Sequence, residues 1–128
     1  MTNSIKPLIV SVAVAGLVGG MWASAADSDS SPIKDFMRKY HKAPKGTDPV
    51  CKKVQDGNAT KDEIKALLAG YQTIAKAKPP KGDDASWKEK TSALVMAAQA
   101  LDKGDADAVA KYKAALNCKG CHSAHKGE

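Results

Sequence analysis

Apolar side chains recur along this chain every three or four positions, and no segment shows the two-residue alternation of a strand. Ser31 followed by Pro32 reads as an N-cap with proline at the first helical position. Ile33, Phe36, Met37 and Tyr40 then share one helical face, with His41 one step on, and the helix stops before Ala43-Pro44-Lys45-Gly46. Asp48-Pro49 looks like a second cap-plus-proline start. It opens a short helix with Val50, Cys51 and Val54 inward, ended by Asp56-Gly57. Thr60-Lys61-Asp62-Glu63 is a capping box, in which hydroxyl and carboxylate each satisfy an orphan backbone N–H. The helix it starts carries Ile64, Leu67, Leu68, Tyr71, Ile74 and Ala75 as a stripe, and Pro79-Pro80-Lys81-Gly82 breaks it. Asp83-Asp84 caps a helix striped by Trp87, Thr91, Leu94, Val95, Ala98 and Leu101, with Lys103-Gly104 as its stop. Asp105 then caps a last helix through Ala106, Val109, Tyr112 and Leu116 that runs directly into Cys118. The expectation is an all-α domain. It has four main helices and a short one, joined by short connections, as in an antiparallel four-helix bundle.

The N-terminus departs from that pattern. Lys6 precedes an uncharged apolar run, Pro7 to Val18, and Ala23-Ser24-Ala25 fits a small-x-small cleavage site. Residues 1–26 therefore read as a secretory signal peptide rather than a membrane span, which needs ~20 apolar residues. Its removal leaves residues 27–128, one small domain of about 102 residues without a membrane span. Lys6 is the only charge lost, so the formal +6 of the chain falls to about +5. A mildly basic surface favours an acidic partner. With no Arg-rich tract and no aromatics interleaved with basic residues, nothing points to nucleic acid.

Cys118-Lys119-Gly120-Cys121-His122 carries the chemistry. C-x-x-C-H is the attachment signature of a c-type haem. Two thiols three positions apart project from neighbouring points on one turn, where both can add to vinyl groups on one porphyrin edge. His122 is then carried under the ring as the proximal iron ligand. A zinc site would need a second Cys/His pair at matching spacing, which Cys51, His41 and His125 do not make. A thioredoxin-type C-x-x-C would follow a strand, and none is patterned here. Covalent haem is attached outside the bacterial cytoplasmic membrane, in agreement with export to the periplasm. The mature chain has few aromatics, so one haem c would also supply a large apolar body to pack around.

No Met follows His122, so any sixth iron ligand comes from upstream. Of four Met, Met1 and Met21 leave with the signal peptide, and Met96 falls off its helix's apolar stripe. Met37 lies on the inward face of the first helix and His41 one turn further. Either could meet the iron, but a single helix would rarely give both to one metal, and an open iron is the third outcome. Cys51, left without an intrachain partner, reads as a small buried apolar residue, with an intermolecular disulfide as the alternative.

A C-terminal C-x-x-C-H on the last helix of a four-helix bundle, behind a signal peptide, resembles the class II c-type cytochromes, the cytochromes c-prime and their low-spin relatives. The resemblance spans the mature chain in layout but is specific only at Cys118, Cys121, His122 and a few flanking positions. It implies a basic residue near the haem four after the proximal His, which is Lys126. It implies a first-helix Met ligand in the low-spin members, which Met37 matches. It also allows homodimers through helix faces. The chain departs from the family in having Ile33 where an Arg usually precedes that Met, and in offering His41 as a ligand.

The function expected is non-enzymatic: one-electron transfer between periplasmic redox proteins. The alternative is a gas-binding protein, taking nitric oxide or carbon monoxide at an open sixth position. A small peroxidase would need a distal acid–base group, for which His41 is the only imidazole on a distal helix.

Overall fold

The computed structural model describes residues 31–128. The signal peptide read at 1–26 lies outside the described residues. Six helices follow in chain order: α1 Pro32–Tyr40, α2 Val50–Gln55, α3 Lys61–Lys76, α4 Asp84–Lys103, α5 Ala108–Ala115 and α6 Cys118–His125. No strand occurs among the described residues, and the fold is all-α. No helix among them is long and apolar enough to cross a membrane.

Local chemistry sets most of the boundaries. The Ser31 hydroxyl accepts from Ile33 N–H at 3.3 Å, with Pro32 at the first helical position. The Thr60 hydroxyl accepts from Glu63 N–H at 3.1 Å while the Glu63 carboxylate takes Thr60 N–H at 2.9 Å, so both bonds of the capping box form. Asp83 caps α4 by accepting from Ser86 N–H at 2.9 Å. Replacing Thr60 with Ala is expected to lower stability by about 1 kcal/mol, and Thr60→Ser to restore most of it, read as thermal midpoints.

Three boundaries differ from the expectation. Pro49, not Asp48, stands at the start of α2, and Asp48 instead lies 3.5 Å from Lys52 Nζ. Helix α5 begins at Ala108 rather than after Asp105. The Asp105 amide is drawn back onto the Ala100 carbonyl at 3.0 Å, and its own carbonyl accepts from Ala108 N–H. The last helix does not run on into Cys118. Leu116 and Asn117 leave helical geometry at ψ 72 and 76, and the Asn117 side chain accepts from Gly120 N–H at 2.8 Å, capping a separate α6. An Asn that can bond its own neighbouring backbone competes with helix continuation and starts a new one.

Helix α3 packs on α4 and α4 on α5; α1 lies on α3, α2 bridges α3 and α5, and α6 rests on α4. The core draws on the predicted stripes: Phe36 from α1, Leu67, Tyr71 and Ile74 from α3, Trp87, Leu94, Ala98 and Leu101 from α4, and Tyr112 from α5. Val54 and Cys51 join from α2, so Cys51 is buried, and among the described residues Met96 is the exposed large hydrophobic one. Gly70 allows α1 to approach α3, because a Cβ there would overlap the Phe36 ring.

Candidate functional site

A cleft of about 740 Å³ opens between α1, the start of α4 and α6. Its apolar surface comes from Ile33, Met37, Pro80 and Trp87. Cys121 and His122 enter from α6, and Lys34, Arg38, Lys42 and Lys126 supply positive charge around it. The volume falls in the range of pockets that take a cofactor-sized ligand.

The Asn117 cap places Cys118 as the first residue of α6, exposed, and Cys121 one turn later, half-buried against the core. Residues three apart on a helix are neighbours on its surface, so the two thiols stand side by side. Cys118 is not part of the cleft lining. Burial raises the Cys121 thiol pKa, with the nearby Lys90 opposing, so the side chain is held as a thiol. His122, the next residue, is exposed and faces the cleft.

The two sixth-ligand candidates part company. Met37 lines the cleft with Cys121 and His122. His41 does not line it. It ends α1, donates its backbone N–H to the Met37 carbonyl at 3.0 Å, and sets its ring against Phe36 and Tyr71. Its Nε2 lies 3.2 Å from the Tyr71 hydroxyl, which is in turn 2.7 Å from the Tyr112 hydroxyl. Protons can run Tyr112 to Tyr71 to His41, satisfying three groups that the core surrounds. Burial pushes both phenols well above the ordinary tyrosine range.

Burial, and secondarily the charge of nearby His122, lowers the His41 pKa to about 4. His41 is therefore neutral near pH 7. Between its unfolded value of 6.5 and about 4 the unfolded chain takes up a proton that the folded chain refuses, so stability falls as pH drops through that window. The loss amounts to at most about 3 kcal/mol. Denaturant midpoints from pH 7 to 4 are expected to fall less steeply in His41→Gln, which keeps an acceptor for Tyr71 but cannot titrate.

Two contributors escaped the sequence reading. Asn117 was legible in retrospect as a cap residue directly before the motif. His125, considered only as a zinc ligand, is 2 % exposed and has both ring nitrogens engaged, Nδ1 with the Lys81 carbonyl and Nε2 with the Ser86 hydroxyl, each at 3.1 Å. Its signal was faint: it sits one turn after Cys121 on the inward side of a short helix.

Among the described residues no group of three His, Cys, Asp or Glu converges as a metal cage. The residues present do fit a haem, whose macrocycle supplies four iron ligands itself. The Cys118 and Cys121 thiols, three positions apart on α6, would hold its edge, the His122 imidazole and the Met37 thioether in one cleft are both iron ligands by type, and the apolar walls suit the ring. No family model, curated protein or solved structure matches this chain.

Proposed function

We propose that this chain is a monohaem c-type cytochrome that carries single electrons between redox partners in the periplasm. Cys118 and Cys121 would hold haem c through thioethers, His122 would be the proximal ligand and Met37 the sixth. The observation that carries the reading is that Met37, Cys121 and His122 line one cleft although 84 residues or more separate the first from the others in the chain. His41, by contrast, has its Nε2 committed to Tyr71. The haem supplies a one-electron iron couple. Cys118 and Cys121 would hold it, Ile33, Pro80 and Trp87 would exclude water around it, and His122 and Met37 would bind its iron. A His/Met pair raises the reduction potential.

In this reading α1, α3, α4 and α5 form the antiparallel four-helix bundle of the class II layout, and residues 1–26 direct export. The packing of α1 on α3, α3 on α4 and α4 on α5 supports that arrangement. Lys34, Arg38, Lys42 and Lys126 around the cleft favour an acidic partner. Enzymatic peroxide turnover is not expected, because the distal imidazole that it would need is held by Tyr71.

The test is an optical spectrum of the haem-loaded protein, ferric and reduced, followed by carbon monoxide. Sharp low-spin bands, a weak far-red sulfur-to-iron band in the ferric state, and no carbon monoxide binding over hours are expected. Low-spin bands without the far-red feature would move ligation to His41. A broad high-spin spectrum with rapid carbon monoxide binding would replace electron transfer with gas binding.

A further inference from the structure

Helix α6 is short, and Leu116 and Asn117 join it to α5 through non-helical backbone. Its setting on α4 therefore rests on side-chain contacts, with Cys121 half-buried against the core and His125 buried. Its one buried residue is His125. The Lys81 carbonyl can only accept, so Nδ1 carries the proton, and in the neutral ring Nε2 accepts from the Ser86 hydroxyl. The ring also meets Trp87 edge-on, with centroids 5.4 Å apart. Two separate segments thus grip a single imidazole: the 79–82 turn and the first turn of α4. Gly82 permits the grip. Its φ is +85°, and a Cβ there would stand 2.5 Å from the Ala124 carbonyl oxygen and 2.8 Å from His125 Nδ1.

We propose that His125 is a positioning residue, whose hydrogen bonds to Lys81 and Ser86 set the rotation of α6 and so aim His122 into the cleft. The inference rests on the haem reading above. His122 lies one turn before His125 on the same short helix, so the two imidazoles swing together. His122 itself is exposed and lines the cleft. Groups that orient a ligand without touching the metal commonly change metal affinity by 10–100-fold when removed. Met37 on α1 can share the iron with His122 only while α6 keeps its setting.

The test uses the full chain matured with haem, in four variants: His125→Phe, His125→Asn, Ser86→Ala and Gly82→Ala. Phe fills the volume without either hydrogen bond. It is expected to weaken the far-red ferric band, speed carbon monoxide binding to the reduced protein at least roughly 10-fold over the hours-long resistance of wild type, and speed amide exchange across α6. Ser86→Ala and Gly82→Ala move the same readouts in the same direction, Ser86→Ala less. Asn retains an N–H for the Lys81 carbonyl and is expected to stay near wild type. If the Phe variant fails to mature, Ser86→Ala and Gly82→Ala decide. Wild-type spectra and wild-type resistance to carbon monoxide in the variants that mature, or an Asn variant no better than Phe, would overturn the proposal. A wild-type chain that acquires no covalent haem would sink the haem reading instead, and unchanged spectra on a haem-loaded chain would sink only this one.

Discussion

Replacing Met37 with Ala in the haem-loaded protein is expected to abolish the far-red ferric band and turn the spectrum high-spin. The reduced protein should then bind carbon monoxide within seconds instead of resisting it for hours. Met37 contributes to two things at once. Its thioether is the one sulfur on α1 that faces the cleft shared with His122, and its stem packs half-buried against the core. The packing share is a loss of about 2 kcal/mol on truncation, at the low end for a Met that is only partly buried. Met37→Leu separates the two, because it keeps the volume and removes the sulfur. The same spectral change in Met37→Leu, with stability near wild type, assigns the effect to ligation. A low-spin spectrum that survives in both variants would take the sixth position away from Met37. A lower reduction potential in both variants is the accompanying expectation, since loss of a Met ligand removes what raises it.

Trp87→Ala is expected to be the most damaging core substitution, costing about 3–5 kcal/mol. Set against a total stability of roughly 5–15 kcal/mol for a domain, that unfolds much of the population near physiological temperature. Trp87 is buried, and its indole N–H reaches the Ile74 carbonyl at 3.2 Å and the Ala77 carbonyl at 2.9 Å, tying the end of α3 to the start of α4. It also walls the cleft and supports His125. Trp87→Phe keeps most of the ring and loses the N–H, so about 1 kcal/mol is expected from it. Urea midpoints measure both. Equal losses would mean that the hydrogen bonds, not the ring, carry the residue's contribution.

What could be read from the sequence was what is decided locally. The Ser31–Pro32 start, the Thr60–Glu63 box and the Asp83 cap each depend on residues within one turn, and all three form. The stripes on α3 and α4 depend on a 3.6-residue period, and their central members are the core. The misread boundaries are places where a local signal met a competitor. Asp105 had the right residue type for a cap, but its amide closes the turn after α4. Leu116 continued the apolar period of α5, but Asn117 ended it. The candidate site was half legible. The C-x-x-C-H spacing is local, and the inward place of Met37 on α1 followed from helix phase. The turn of His41 onto Tyr71, thirty positions away, and the grip on His125 by Ser86 and Lys81, separated from it by 39 and 44 positions, were not legible. No periodicity encodes such pairings, because they arise only when the helices pack.

The central claim is covalent haem on Cys118 and Cys121. The most direct measurement is the intact mass of the full chain expressed with export and haem-attachment machinery, alongside Cys118→Ser, Cys121→Ser and the double variant. The account predicts a mature chain beginning near Asp27 and heavier by one haem, the haem retained under denaturing conditions, and no retained haem in the double variant. A processed chain at its bare polypeptide mass, with both thiols free to alkylate, would contradict it.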